Sequence, residues 1–204
     1  MNHFLKRALD VVVAATLLLV LAPLFLLLIL LVRLKLGAPV FFRQTRIGRG
    51  ERPFRLIKFR TMTDARAANG TLLDDAARLT AFGQFLRATS LDELPELLNI
   101  LTGRMSLVGP RPLLPEYLPF YTPRERTRHA MRPGITGLAQ VSGRNALGWN
   151  DRLELDAKYV ETFRFTRDLG ILWRTVAIVL KREGISADGQ ATMQRLDVER
   201  AGNA

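Results

Sequence analysis

Residues 11–32 read VVVAATLLLVLAPLFLLLILLV, 22 residues without a charge. About 20 apolar residues are enough to cross the hydrocarbon core of a bilayer. A cleaved signal peptide fits poorly, because its apolar region is shorter and no small-x-small cleavage site follows Val32. Pro23 lies in the middle of the run, where it removes a backbone hydrogen bond and crowds the preceding turn, so a kink is expected there. Both flanks are basic, with Lys6 and Arg7 before the run and Arg33, Lys35, Arg43 and Arg46 after it. An ordinary span carries its excess of positive charge on one side only. A helix that bends at Pro23 and returns to the face it entered satisfies both flanks; a kinked span is the other geometry that the residues allow.

Working outward, nine Lys or Arg and one acid, Glu51, lie between Arg33 and Arg60, and the whole chain carries a formal charge of +11. Basic charge beside a membrane segment points to phospholipid headgroups or phosphorylated substrates more than to nucleic acid. No aromatic-interleaved basic groove of the kind that stacks bases is present. The chain has no cysteine, which excludes disulfides, thiolate metal sites and thiol nucleophiles. Its two histidines, His3 and His129, lack metal-ligand spacing.

Short alternating runs at residues 40–44 and 54–59 around Gly48-Arg49-Gly50 predict a β-hairpin. Residues 64–86, with room for a turn at Asn69-Gly70, and 90–101, 149–163 and 168–182 predict helices, and the stretches 109–115, 132–137 and 142–145 predict loops. On the last helix Leu169, Leu172, Trp173, Val176, Val179 and Leu180 share a face, which reads as core packing, with a helix lying in a membrane interface as the alternative. The fold expected is mainly α with a small β-hairpin: an N-terminal re-entrant membrane helix plus a cytosolic catalytic domain. The divisions fall at 1–36 for the kinked membrane helix, 37–185 for the catalytic domain and 186–204 for a polar, loosely ordered tail.

The chemistry has few places to sit. No P-loop, dinucleotide fingerprint or Gly-x-Ser-x-Gly occurs. What remains is the acid pair Asp92-Glu93 within Ser90-Leu-Asp-Glu-Leu-Pro95. Ser90-x-x-Glu93 also fits a capping box, but Pro95 disturbs the regular helix that such a box would start. Glycine- and proline-held loops carry Arg104, Arg111, Arg132 and Arg144, and rigid guanidinium groups suit phosphate oxygens. Of two adjacent carboxylates, one can attack phosphorus while the other holds Mg2+, which binds through one or two carboxylates plus substrate phosphates.

Lys58-Phe-Arg-Thr-Met62, Ser90-Leu-Asp-Glu-Leu-Pro95, Gly109-Pro-Arg-Pro112, Arg132-Pro-Gly-Ile-Thr-Gly137 and Gly143-Arg144 together resemble the small monotopic phosphoglycosyl transferases of the bacterial sugar transferase family. The resemblance implies transfer of a phosphosugar from a UDP-sugar to undecaprenyl phosphate, a polyprenyl phosphate, with release of UMP, at the cytosolic face of the bacterial inner membrane. It implies Asp92 as nucleophile, Glu93 as Mg2+ ligand beside it, and Arg111 (between Pro110 and Pro112) and Arg144 as nucleotide or phosphate contacts. Lys58, Arg60, Arg87 and Asp156 are implied as further substrate-binding residues. Arg60-Thr-Met62, Glu116-Tyr-Leu-Pro119, Arg144-Asn-Ala146 and Gly189-Gln-Ala-Thr192 resemble the members that use UDP-N,N′-diacetylbacillosamine. One departure is that the family's membrane helix often breaks at Ser-Pro, whereas here the residues are Ala22-Pro23.

Overall fold

The computed structural model describes residues 2–143, 147–181 and 195–201. Two helices open the chain, α1 (Asn2–Val20) and α2 (Ala22–Leu36), bent by 66° across Leu21. Pro23 sits in the first turn of α2, where its missing N–H costs nothing. The expected kink is therefore a break between two helices. Among the described residues no single helix is long and apolar enough to cross a membrane; only the bent pair together has that length and composition.

After α2 come the strands β1 (Phe41–Ile47) and β2 (Pro53–Phe59), paired antiparallel from Phe41 opposite Phe59 to Ile47 opposite Pro53. The predicted hairpin turn lies between them, with Gly50 at φ +64°, which glycine adopts without penalty. Next are α3 (Asp75–Arg78), α4 (Ala81–Ala88), α5 (Glu96–Leu101), β3 (Ser106–Val108), α6 (Pro123–Arg126), β4 (Gly134–Thr136), α7 (Leu138–Ser142), α8 (Trp149–Glu161), α9 (Phe165–Lys181) and α10 (Leu196–Ala201).

Three expectations are corrected. Residues 64–74 are not helical: Met62 bridges Leu79 and Arg66 bridges Leu72, so the chain folds back on itself through the turn at Asn69-Gly70 before a short α3 and α4. Residues 106–108 and 134–136, the latter expected as loop, pair as parallel strands. This close approach depends on glycine, since a Cβ on Gly134 would fall 2.1 Å from the Gly109 nitrogen. Within the tail, residues 195–201 include α10, whose Leu196 is fully buried with Tyr117, Trp149 and Leu153. Gly189–Thr192 lies outside the described residues.

The basic residues before the apolar run also have another role than headgroup contact. Lys6 is buried and donates to the Val108 carbonyl at 2.7 Å and to Asp168 at 2.5 Å. Arg7 donates to the Ile100 and Leu101 carbonyls at the end of α5, filling acceptors that a helix terminus leaves open. Asp10 accepts from the Ser106 hydroxyl and the Leu107 N–H. Thus α1 is pinned along one side to α5, β3 and α9, and Ala14 joins the main core with Leu97, Ile100, Met105 and Tyr159. Helix α2 packs Leu28, Val32 and Leu36 against Phe59 of β2 and Leu86 of α4. Each such buried side chain contributes about 1.5–3 kcal/mol. Its other side leaves Leu26, Leu27, Leu30 and Leu34 exposed. On α9 most of the expected core face is exposed instead: Trp173 is 77% accessible, and Leu169, Val176 and Val179 are also exposed, whereas Leu172 packs partly buried against the main core, to which Ile171 and Asp168 also turn.

Candidate active site

Three pieces of backbone converge on Asp92-Glu93. On β2 the period of two sends Phe54 and Leu56 inward, and Lys58 follows on the same face. The pair itself lies on a single 3-10 turn, Leu91–Glu93, and Pro95 precedes α5. The capping box does not form: Ser90 makes no side-chain cap and takes the left-handed conformation, φ +55°, a setting that costs a non-glycine residue of order 1 kcal/mol. Arg111 follows β3 in the Gly-Pro-Arg-Pro turn. That turn is held at one end by Gly134 N–H donating to the Pro110 carbonyl, 3.0 Å. Deeper in, Arg128 donates to the Arg111 carbonyl at 2.6 Å and pairs with Asp156 at 2.7 Å, both side chains being about 2% exposed.

Glu93 is clamped. Its Oε1 accepts from Lys58 Nζ at 2.5 Å and from Arg111 Nη2 at 2.7 Å. Burial opposes its ionisation, but Arg111 and Lys58 override that and hold the carboxyl well below the usual range. Lys58 also reaches Glu96 Oε1 at 3.2 Å. Glu96 is buried, and burial pushes its carboxyl up to about 7, against the pull of Lys58. Asp92 differs from both. It is 8% exposed and has no hydrogen bond or ion pair among the described residues. Burial raises it to about 6, with Lys58 opposing and Glu93 reinforcing the rise. A buried carboxylate left without donors keeps its lone pairs for an incoming electrophile.

The structure thus gathers Lys58, Asp92, Glu93 and Arg111, with Pro110 and Pro112 buried on either side of the last. Arg87 donates to Thr61 at 3.1 Å and its charge reaches Asp92. Asp156 stands behind the site, acting on Arg111 through Arg128. Arg60 is committed elsewhere, to the Met62 and Ala38 carbonyls and to Asp64. Arg132 donates to the Gly103 carbonyl beside Arg7, and Arg104 lines a separate open groove with Arg55 and Asn99. Arg144 lies outside the described residues. Glu96 and Arg128 were missed by sequence reading; the i, i+3 spacing from Glu93 was the signal available for Glu96, and Arg128 offered none.

Mg2+ can be tested against this donor set. Both contacts to Glu93 fall on Oε1, so Oε2 and the Asp92 carboxylate remain open. No group of three or more acids or histidines able to hold a metal occurs among the described residues. Two carboxylates completed by substrate phosphates are what Mg2+ ordinarily takes, and the residues fit it.

Comparison with known proteins agrees with this chemistry. The profile described as bacterial sugar transferase matches residues 1–182. An uncharacterised sugar transferase of Bacillus subtilis, EpsL, is 51% identical over 191 residues, covering 94% of this chain and 95% of that protein. The UDP-glucose:undecaprenyl-phosphate glucose-1-phosphate transferase of Caulobacter vibrioides is 45% identical over 192 residues, 86% of this chain and 69% of that one. The UDP-galactose-lipid carrier transferase of Erwinia amylovora is 40% identical over 200 residues, 90% of this chain but 42% of the relative. The chain belongs to the bacterial sugar transferase family and is a phosphoglycosyl transferase.

Proposed function

We propose that this enzyme transfers a phosphosugar from a UDP-sugar to undecaprenyl phosphate in two steps through Asp92. The observation that carries the reading is a buried, undonated Asp92 carboxylate beside a Glu93 held by Lys58 and Arg111. In the first step an Asp92 oxygen bonds to the sugar-bearing phosphorus. The bond from that phosphorus to the bridging oxygen breaks, and UMP leaves with the oxygen and its electron pair. In the second, a phosphate oxygen of undecaprenyl phosphate attacks the same phosphorus and Asp92 departs as carboxylate, leaving undecaprenyl diphosphosugar. Bound Mg2+, held by Glu93 Oε2 and Asp92 with the diphosphate, would neutralise charge on the transferred group. Arg111 and Lys58 fix Glu93 and line the anionic substrate's side of the pair. Labelled UDP-sugar should leave a phosphosugar adduct on the wild-type protein and none on folded Asp92→Asn; an adduct on the variant would dismiss Asp92 as nucleophile.

Relatives named for glucose and galactose support UDP-sugar and undecaprenyl phosphate as the substrates. The motif likeness favours UDP-N,N′-diacetylbacillosamine, whereas those names favour hexoses. UMP release from a panel of UDP-sugars separates the two. A site that hydrogen-bonds acetamido groups would reject glucose and galactose strongly, so efficient turnover of UDP-galactose would remove the diacetamido assignment alone.

For placement, we infer that α1 and α2 dip into the cytosolic leaflet of the inner membrane and return. The 66° bend, the exposed leucines of α2, exposed Arg33 and Lys35 at its end and the exposed apolar face of α9 support this. UDP-sugar and the carrier headgroup then meet Asp92 on one side of the membrane.

A further inference from the structure

A second cationic site lies at the start of α1, made by residues that the transfer chemistry does not use. His3, Lys6, Arg7 and Asp10, one face of that helix by their spacing, wall a small cavity with Arg49 and Arg132. Two of these charges are already matched. Lys6 is spent on Asp168, and Asp10 on Ser106 and Leu107. Three guanidinium groups remain. Arg7 donates Nη1 and Nη2 to the α5 carbonyls but pairs with no acid among the described residues, and Arg132 uses only its Nε, on Gly103; Arg49 is exposed, and its guanidinium has no hydrogen bond or ion pair among the described residues. Burial, then the charges of Arg7 and Arg49, make the Arg132 cation less favourable than usual, and Asp10 is the acid that opposes them. The cavity offers about 30 Å³ to the centres of water-sized molecules, above the roughly 10–15 Å³ that one water needs. Mutually repelling guanidiniums around a space of this kind are relieved by a tetrahedral anion, which planar N–H forks engage in pairs.

We propose that Arg7, Arg49 and Arg132 form a phosphate-group site distinct from the Asp92 pair, filled by a free phosphate or by an anionic phospholipid headgroup. Its occupant would tie α1 to the hairpin turn and to the segment leading into β4. The assignment does not depend on the transfer mechanism.

Thermal unfolding of the full chain in detergent tests it, with inorganic phosphate compared against chloride of equal ionic strength. Saturating phosphate should raise Tm by about 2–5 °C. The rise should persist in Arg111→Gln and vanish in Arg49→Gln and Arg132→Gln. Should Arg132→Gln fail to fold, exposed Arg49 carries the test alone. Nanodiscs of phosphatidylcholine with and without phosphatidylglycerol distinguish the sources. A rise with phosphatidylglycerol that Arg49→Gln abolishes identifies the headgroup, and a rise with phosphate in phosphatidylcholine alone identifies a soluble ligand. The proposal falls if neither probe stabilises the wild type, or if the rise survives Arg49→Gln but not Arg111→Gln.

Discussion

Replacing Lys58 with Met tests how the site keeps Asp92 ionised. Lys58 is the largest of the influences holding the Asp92 carboxyl down, and burial still lifts it to about 6. An opposite charge at this range is worth roughly 1–3 pKa units, so its removal should move Asp92 to about 7 or higher. In the proposed mechanism ionised Asp92 is the form that attacks. For a rise of one unit, the ionised fraction at pH 6 would fall from about one half to about one tenth, a loss of roughly fivefold, whereas by pH 9 both proteins would be almost fully ionised. Loss of Lys58 also loosens Glu93, so the variant should be slower at every pH. The informative quantity is therefore the position of the acid limb. The assay is UMP release at subsaturating UDP-sugar, where kcat/KM follows the free enzyme. Because Asp92 and Glu93 interact, the limb reports an apparent value for the pair. An acid limb that stays where it was in the wild type, with only the height lowered, would refute the reasoning.

Asp92→Asn should also stabilise the fold at neutral pH. The folded pKa is raised, so the stability associated with Asp92 is fully present below pH 4 and is lost as pH rises through about 6; the variant should gain on the order of 1–3 kcal/mol at pH 8 relative to pH 4, read by chemical denaturation. Asp156→Asn breaks a pair buried on both sides and should cost about 3–5 kcal/mol, with kcat falling in the folded fraction because Arg128 no longer steadies the Arg111 carbonyl; unchanged melting would remove that support role. Pro23→Leu should straighten the break across Leu21 and send cysteines placed at Asn2 and Gly37 to opposite sides, which an impermeant thiol reagent on spheroplasts will read; protection at both sites with full activity would show that the bend has another cause.

Sequence periodicity located the hairpin because alternation and a glycine turn are local signals. It failed at residues 64–74, where the backbone takes isolated bridges in place of helical bonds, and at β3 and β4, whose three-residue strands meet across a separation that no window spans. The pair Asp92-Glu93, with Lys58 and Arg111, was legible because its motifs are contiguous. Arg128 was not, since a lone arginine in a helical turn looks the same whether it meets water or a buried aspartate. Lys6 was misread for a related reason: a basic residue beside an apolar run reads as a headgroup contact, and its actual partner Asp168 lies 162 residues further along.

That separation gives the anchoring of α1 a timetable. At about 5–20 residues per second of synthesis, Lys6 is made roughly 8–30 s before Asp168. Lys6 lacks its carboxylate throughout this interval, Arg7 and Asp10 lack their partners until residues 100–107 are made, and a charge at the centre of a bilayer costs at least about 2.5 kcal/mol. In the proposed placement, the unpaired groups hold the first turns of α1 in water while the apolar residues beyond them enter lipid. Only when α9 emerges does the lysine find its carboxylate, so a late-made helix closes the latch that fixes the first one.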